Sequence, residues 1–172
     1  MNRLLDLGCG AFDFEHTIKG YKEEVDEIYG IDLQDFGNPH IKVCDIVTDP
    51  FPFPDNYFTY VRAHNILEHI PKLIYYPKRR YPFVEVMNEI HRVLVPDGKC
   101  EILVPVHPNI SSFTDPTHVS HITLNTITGY FCIEGRYLFE YCQAHYGYKG
   151  TFSVWEINWG LQEVAHLLIK KI

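Results

Sequence analysis

The residues best suited to binding chemistry follow three short apolar segments near the start of the chain. Asp6-Leu7-Gly8-Cys9-Gly10 spans the end of the first segment, and Asp32 and Asp45 stand at the ends of the next two. Glycines there allow a tight turn and let backbone N–H groups approach a ligand without obstruction by Cβ. A carboxylate after the second segment can accept hydrogen bonds from two ribose hydroxyls, and one after the third can accept a bond from an adenine amino group. A nucleoside site is therefore predicted, and its expected contact residues are Asp6, Gly8, Cys9, Gly10, Asp32, Leu33, Asp45, Ile46, His64 and Asn65.

A sheet is needed to bring these side chains together. Apolar runs predict strands at Arg3–Asp6, Glu27–Ile31, Ile41–Cys44, Tyr57–Ala63 and Lys99–Val104. Helical spacing of apolar residues predicts a helix over Pro82–Leu94, and Pro96-Asp97-Gly98 predicts a turn into the next strand. Buried strands that alternate with helices indicate an α/β fold with a mostly parallel sheet, in which ligands bind beyond the carboxyl ends of the strands.

The last third of the chain has a different pattern. Thr151–Trp159 alternates as a strand does, and Glu163–Ile172 is apolar and fits a strand, with a helix as the alternative. These two segments predict a closing antiparallel hairpin. Thr123–Ala144 is expected to contain a helix that is interrupted near Gly129 or Gly135.

Length and charge limit the classes of protein. The 172 residues suit one domain, here residues 1–172, and the net charge of −7 argues against broad attraction to nucleic acid or to an anionic membrane. The five cysteines are odd in number and none of them stand in CxxC spacing, which is typical of a reduced protein rather than a disulfide framework. No apolar run is long enough to span a bilayer. We therefore expect a soluble, cytoplasmic protein without membrane association, and nucleic acid is an unlikely partner.

Three further segments carry a family resemblance. They are Pro52-Phe53-Pro54-Asp55-Asn56-Tyr57-Phe58, Asn65-Ile66-Leu67-Glu68-His69-Ile70 with its "LEH" core, and Glu89-Ile90-His91-Arg92-Val93-Leu94-Val95-Pro96-Asp97-Gly98. With the glycine turn, they resemble the class I (Rossmann-like) S-adenosylmethionine (SAM)-dependent methyltransferases, in particular the small SAM-binding group with the LEH segment. The resemblance covers residues 3–106. It implies a seven-stranded sheet in the order 3-2-1-4-5-7-6, with one antiparallel strand, and SAM as the cofactor.

The chain departs from that family pattern in places. Phe12 stands where the family has a third glycine, Thr59 replaces a usual Asp, and the chain starts at the first strand, without the helix that commonly covers the SAM pocket. A second copy of the chain or another partner chain is expected to supply that cover, unless the start reflects a truncation. A dinucleotide-binding dehydrogenase is the main competitor, but Asp13 follows Gly8 and Gly10 and breaks its G-x-G-x-x-G fingerprint.

Methyl transfer from a sulfonium is a direct displacement that depends mainly on in-line placement of the acceptor, and a base is required only for a protonated acceptor. At the end of the fourth strand, His64 is expected to face the methyl group and orient or deprotonate the acceptor. Glu68 and His69 on the following turn are expected near the same cleft.

A long histidine-rich loop follows the fifth strand. Asp115, His118 and His121 stand three apart, so one helical turn would bring them to one face. The favoured interpretation is a catalytic acid–base or acceptor-orienting cluster. A metal site is weaker because no sulfur ligand lies at a short spacing, and no metal is expected. A purely structural role, with Asp115 capping a turn, remains the third possibility.

One basic segment, Lys72–Tyr81, interleaves positive charges with aromatic rings and suits an anionic acceptor, although such runs are more often solvated loops. The expected acceptor contacts are His69, His107, Arg79 and Arg80. The predicted function is transfer of a methyl group from SAM to an O or N atom of a small or medium-sized acceptor. The alternative is a SAM-binding partner subunit without autonomous activity.

Overall fold

The computed structural model describes residues 1–11, 25–160 and 163–170. Within them, a seven-stranded sheet has the order β3-β2-β1-β4-β5-β7-β6. Its strands are β1 (Arg3–Leu7), β2 (Glu27–Asp32), β3 (Ile41–Val43), β4 (Phe58–His64), β5 (Leu94–Pro105), β6 (Phe152–Trp159) and β7 (Glu163–Lys170). Pairs within β3-β2-β1-β4-β5 are parallel, and β7 is antiparallel to both β5 and β6. The predicted fold class, strand order and closing hairpin are confirmed.

The described helices lie between β4 and β5 and between β5 and β6. They are α1 (Pro82–Val93), α2 (Ser111–Thr114), α3 (Leu124–Phe131) and α4 (Tyr137–Tyr146), with 3-10 turns at Leu67–His69 and Ile133–Gly135. None of the helices in the described part of the chain is long and apolar enough to cross a membrane. The predicted helix over Thr123–Ala144 is interrupted between α3 and α4. A Cβ on Gly135 would lie 1.9 Å from the Gly129 carbonyl oxygen, so the glycine at position 135 allows the two backbone segments to meet there.

The predicted turn Pro96-Asp97-Gly98 lies inside β5 as an irregularity. β5 pairs with β4 from Leu94 onward, but its register shifts before Lys99. Asp97 has a φ of 59°, and a Cβ on Gly98 would lie 2.8 Å from the Val95 carbonyl oxygen. The strand therefore begins five residues before the predicted Lys99.

The two faces of the sheet differ in polarity. One face carries the main core, in which Leu5, Val61 and Ile102 of the strands pack with Met87 and Ile90 of α1. Burial of this apolar surface is the principal favourable term for the fold. The other face has a small apolar cluster around Leu4 and Ile28, followed by polar residues toward the carboxyl ends of the strands.

Arg92 joins α1 to the segment between β3 and β4. Its guanidinium donates hydrogen bonds to the Glu89 and Asp55 carboxylates, and to the Phe51 and Phe53 carbonyl oxygens at 3.0 and 2.8 Å. These bonds hold the buried rings of Phe51 and Phe53 in the core. A planar guanidinium satisfies this many acceptors at once, which a lysine cannot do.

We expect Arg92→Met to lower the free energy of unfolding by about 2–3 kcal/mol, because two carbonyls and the partly buried Glu89 carboxylate lose a donor, while the Asp55 carboxylate is exposed to water. Urea denaturation of Arg92→Met and of the control Arg79→Met, whose side chain is exposed, measures the difference. Equal stabilities for the two variants would contradict this account of Arg92.

Candidate functional site

The glycine turn is tied to the end of β2 by backbone hydrogen bonds. Gly8 N and Cys9 N donate to the Ile31 carbonyl oxygen at 2.9 and 3.2 Å. Gly8 and Gly10 have φ values of 67° and 61°, a region that disfavours residues with a Cβ. At Gly8, a Cβ would also lie 2.8 Å from Cδ1 of Ile66. Glycine is therefore required at position 8 both by the positive φ and by the closeness of the Ile66 side chain.

The two predicted carboxylates are held by local backbone donors. Asp32 Oδ2 accepts a hydrogen bond from Gly10 N at 2.8 Å, and its Oδ1 accepts one from Gln34 N at 3.1 Å. Asp45 Oδ1 accepts a bond from Val47 N at 2.9 Å. A carboxylate has about four acceptor positions, so both side chains keep capacity for a ligand.

A cavity lies at the carboxyl ends of β1 to β4. Five of its lining residues were predicted as cofactor contacts, namely Gly8, Asp32, Leu33, Asp45 and Ile46. Its other lining residues include Cys44, Val47, Ile66, His69 and Ile70. Of these only His69 was predicted, as an acceptor contact. The flanks of the LEH turn, Ile66 and Ile70, were missed, although their place in that motif pointed to this edge.

Size alone does not select this cavity. It measures about 170 Å³, whereas a cavity beside Arg80 measures about 530 Å³ and an aromatic one beside Tyr130 about 460 Å³. The smaller cavity is the one in which glycine backbone and two carboxylates converge. Polar groups that converge at the carboxyl ends of parallel strands are the better mark of a nucleotide site.

Five predicted cofactor residues do not line the cavity: Asp6, Cys9, Gly10, His64 and Asn65. Gly10 acts through its amide on Asp32. Asn65 directly follows β4, with a φ of 49° and an exposed side chain. The Cys9 side chain packs against Gly30, where a Cβ would lie 2.4 Å from its sulfur. Burial, with Asp6 and Asp32 nearby, raises the pKa of the Cys9 thiol to about 12, so it is a packing group rather than a nucleophile.

His64 belongs to a polar group on the second face of the sheet. Its Nε2 lies 2.7 Å from Glu101 Oε1, while the Tyr60 hydroxyl donates to the other oxygen of Glu101. Arg62 Nε lies 3.7 Å from Asp6 Oδ1. Burial raises the pKa of Asp6 to about 6, against the opposing effects of Arg62 and His64 and with a small contribution from Glu101. His64 is thus directed toward Glu101.

The histidine-rich loop is divided, contrary to the expectation of one helical face. α2 ends at Thr114, and Asp115 is extended with φ −82° and ψ 124°, as a residue before a proline prefers. The His121 ring packs on Phe113 at 4.5 Å between centroids. His118 instead lies against His69, with centroids 4.9 Å apart. The spacing of three therefore brings His118 to the LEH turn and leaves His121 elsewhere.

Backbone hydrogen bonds fix this loop on the LEH turn. Val119 N and Ser120 N donate to the Glu68 carbonyl oxygen at 3.0 and 2.9 Å, and Ser120 Oγ donates to the Ile70 carbonyl oxygen at 2.6 Å. Asp115 accepts hydrogen bonds from the Thr117 hydroxyl and amide, and these bonds lower its carboxyl pKa. The loop is consequently held at the edge of the cavity that His69 and Ile70 line.

The other predicted acceptor residues do not line this cavity. His107 contacts Phe113 and His121, at 5.5 and 6.3 Å between centroids. Arg79 stacks over the Tyr81 ring at 5.5 Å. Arg80 pairs with Glu85 and donates to the Val47 carbonyl oxygen at 3.1 Å, beside the largest of the three cavities. Among the predicted acceptor contacts, His69 alone lines the cavity at the glycine turn.

Comparison with known proteins places these features in a family. The family model described as "Methyltransferase domain" matches residues 5–102, which is more than half of the chain. A curated relative is a demethylmenaquinone methyltransferase from Anoxybacillus flavithermus, 25% identical over 123 residues, which cover 64% of this chain and 48% of the relative. The chain therefore spans about half the length of the curated relatives that it matches.

Solved structures share the fold over nearly the whole chain. A SAM-dependent methyltransferase from Archaeoglobus fulgidus has a TM-score of 0.61 at 18% identity, with 99% of this chain and 86% of that one covered. A Burkholderia thailandensis 1,6-didemethyltoxoflavin-N1-methyltransferase, solved with S-adenosylhomocysteine, has a TM-score of 0.60 at 15% identity and coverages of 99% and 71%. At these identities the likeness establishes the fold.

The two glycines of the turn provide a test of its geometry. Gly8→Ala and Gly10→Ala should each cost about 1–2 kcal/mol for the left-handed backbone. Gly8→Ala should lose roughly 1 kcal/mol more through overlap with Ile66, whereas among the described residues no atom beyond the chain neighbours lies within 4 Å of a Cβ on Gly10. Chemical denaturation compares the two, and a larger loss for Gly10→Ala would contradict the packing described here.

Asp6 predicts a specific dependence of stability on pH. Because its pKa is raised from 3.8 to about 6 on folding, its contribution is complete at low pH and is lost as the pH rises through that value. The stability of Asp6→Asn relative to the unmodified chain should therefore increase by about 2 kcal/mol between pH 4 and pH 7.5. Urea denaturation at the two pH values measures this change, and a difference that is constant with pH would show that Asp6 is not responsible.

Proposed function

Because the chain belongs to the methyltransferase domain family, we propose that it binds SAM in the cavity at the glycine turn. We further propose that it transfers the methyl group to an O or N atom of a small or medium-sized acceptor. The observation that carries the proposal is the convergence of Gly8, Asp32 and Asp45 on one cavity at the strand ends. Sequence spacing alone makes these positions candidates, and their common cavity supports one shared ligand.

The residues present fit the nucleoside part of SAM. Asp32 keeps acceptor positions for ribose hydroxyls after it has accepted from Gly10 N and Gln34 N. Asp45 lines the same cavity and offers an acceptor for an adenine amino group. Gly8 lines the cavity and has no Cβ between its backbone and the ligand. Leu33 and Ile46 provide apolar contact.

SAM supplies an electrophilic methyl group carried on a sulfonium. The chain's task is to hold an acceptor atom in line with that group and to remove a proton when the acceptor carries one. His69 is the group best placed for this task because it lines the cavity, and the Thr117 hydroxyl lies 3.0 Å from its Nδ1. Asp115 holds that hydroxyl in turn at 2.6 Å. His118 contacts His69 and completes the acceptor edge.

A SAM-binding subunit without autonomous activity is the second candidate. The observation that favours it is the size of the cavity, about 170 Å³, against roughly 300–1,000 Å³ for typical small-molecule sites. A second copy of the chain or a different partner chain would then complete the pocket.

Calorimetric titration with S-adenosylhomocysteine tests the cofactor site. Asp32→Asn should weaken binding by about 1–3 kcal/mol, or roughly 5- to 150-fold, because a charge-assisted acceptor is lost. The matched control is Asp35→Asn, whose exposed carboxylate accepts a bond only from Gly37 N among the described contacts. Equal weakening in both variants would place the ribose elsewhere.

The same titration separates an autonomous enzyme from a partner subunit. An autonomous enzyme should release heat with the ligand and should transfer the methyl group of radiolabelled SAM to an acceptor from a cell extract. A folded chain, judged by circular dichroism, that gives no binding heat would exclude autonomous activity. The partner-subunit hypothesis would be favoured if the chain binds the ligand with heat but incorporates no methyl group, and if a second protein fraction then restores methyl incorporation.

A further inference from the structure

Glu68, His69 and His118 form a cluster that the nucleoside site does not use as a unit. Each offers one ligand atom, and these atoms all lie within 4.8 Å of one another. Glu68 Oε1 lies 3.9 Å from His118 Nε2, and the rings of His69 and His118 are nearly perpendicular at 76°. We propose that these three residues bind a divalent transition-metal ion at the edge of the cavity.

The hydrogen bonds around His69 leave one ring nitrogen available for a metal. The Thr117 hydroxyl has a single proton, and it donates that proton to Asp115 Oδ1 at 2.6 Å. Toward His69 Nδ1, 3.0 Å away, Thr117 can then only accept, so Nδ1 carries the hydrogen. The lone pair of the neutral ring is therefore on Nε2. A metal-binding histidine usually donates its other ring N–H to an acceptor that orients the ring. Here that acceptor is the Thr117 hydroxyl, which the Asp115 carboxylate holds in place.

His118 is oriented in the same sense. Its Nδ1 lies 3.4 Å from the Ser112 carbonyl oxygen, which can only accept, so the hydrogen is again on Nδ1. Its Nε2 faces Glu68. A backbone carbonyl on the second nitrogen is also a common support for a metal-binding histidine. Both imidazoles thus have their metal-binding nitrogen defined by a partner within the loop.

Glu68 brings a negative charge to a site with little solvent. The residue is 2% exposed, and its charged form is costly to bury unless a cation balances it. A divalent ion held by the carboxylate supplies such a cation. The Glu68 carbonyl oxygen also accepts hydrogen bonds from Val119 N and Ser120 N, so the loop that carries His118 is fixed to the residue that carries the carboxylate.

The donor set indicates the class of ion. Two imidazole nitrogens and one carboxylate suit Zn²⁺, Fe²⁺, Co²⁺ or Mn²⁺ better than Ca²⁺ or Mg²⁺, which prefer oxygen ligands. Bond lengths near 2.1 Å place adjacent ligand atoms roughly 3.0–3.5 Å apart. The 3.9 Å between Glu68 Oε1 and His118 Nε2 requires only a small rotation of the side chains. Three protein ligands leave open positions on the ion.

The site differs from the metal arrangement considered from the sequence. That arrangement used Asp115, His118 and His121, and no metal was expected. In the structure, Asp115 accepts a hydrogen bond from Thr117 and is not among the three clustered residues, and His121 packs on Phe113. Glu68 and His69 take their places because the loop folds back onto the LEH turn.

The position suggests a role, and this step rests on the proposed methyl transfer. His69 lines both the cavity and the metal cluster, so an ion bound there lies beside the proposed methyl donor. With Nε2 of His69 on the ion, His69 would orient the acceptor through the metal and would not be the base. The cation would favour the deprotonated form of the acceptor oxygen, with the proton passing to water, and that oxygen would take the methyl group as SAM leaves as S-adenosylhomocysteine. The acceptor class that fits is a hydroxyl with a second oxygen nearby, which together chelate the open positions of the ion.

Metal binding is tested without SAM or an acceptor. The full chain is treated with a chelator, dialysed and titrated with Co²⁺, and the visible ligand-field absorption and the calorimetric heat are followed. One equivalent should bind. His118→Ala and Glu68→Gln should each weaken binding at least about tenfold, and Thr117→Val should weaken it about 10- to 100-fold, as expected for a second-shell group.

The control is His145→Ala, since His145 is exposed on α4 and contacts Tyr141. It should retain the Co²⁺ spectrum and affinity. Thr117→Val keeps the size of a largely exposed side chain, so it remains informative should Glu68→Gln fail to fold. Binding that is unchanged in folded His118→Ala and Thr117→Val, or that is lost equally in His145→Ala, would overturn the site.

The outcomes for metal and methyl donor are independent. Co²⁺ binding without heat from S-adenosylhomocysteine would retain the metal site and reject the proposed function. Heat from S-adenosylhomocysteine without Co²⁺ binding would do the reverse. When both bind, methyl transfer to vicinal diols or catechols should be lost with the chelator and restored by the metal, and transfer that the chelator does not affect would reject the acceptor class.

Discussion

The hydrogen bonds between the glycine turn and the end of β2 are the constraint on which the candidate site depends. Gly8 N and Cys9 N donate to the Ile31 carbonyl oxygen, and Gly10 N donates to the Asp32 carboxylate. They fix the backbone after one strand against the carboxylate after its neighbour. The cavity therefore has its shape because two strand ends are locked together in a parallel pair. Ile66 also lines the cavity, and its closeness to Gly8 requires a residue without a side chain at that position.

The LEH turn connects this constraint to the rest of the carboxyl edge. Its flanks, Ile66 and Ile70, line the cavity, while the carbonyl oxygen of Glu68 receives the loop that follows β5. A short 3-10 turn suits this role, because its few internal hydrogen bonds leave carbonyl groups for tertiary partners. Backbone hydrogen bonds therefore position the loop after β5, although it lies far from β4 in the sequence.

Most of the fold could be predicted because its strands are short and apolar, and because glycine and proline residues mark the turns and helix starts between them. Pro82 at the start of α1 and the glycine turn after β1 are local signals, and the parallel order followed from the family resemblance. β5 was placed too late because Pro96-Asp97-Gly98 suggests a connection, whereas the turn is accommodated within the strand after Leu94. The positions of Gly8, Asp32 and Asp45 were also accessible, since strand ends meet at one edge of a parallel sheet.

The proposed acceptor side could be predicted less well, because it depends on side-chain direction and tertiary contacts. His64 ends β4 as predicted, but strand alternation directs it to the face that carries Glu101. Periodicity in the loop suggested one helical face for Asp115, His118 and His121, yet Pro116 keeps Asp115 extended and ends the helix before it. His118 then meets Glu68 and His69, from which it is separated by nearly fifty residues. No local pattern encodes that meeting.

A methyl-transfer site needs little from its protein beyond placement. In the proposed site the most closely held groups lie on two sides of one cavity, a proposed donor side and a proposed acceptor side. On the donor side, backbone amides and carboxylates are joined directly, so the geometry tolerates few substitutions. On the acceptor side, His69 is held by Thr117, and Thr117 by Asp115, a chain of three groups of which only the first reaches the cavity. Such a chain defines which nitrogen of His69 carries a proton. That distinction matters only if the other nitrogen has a partner in the cavity, either an acceptor or an ion.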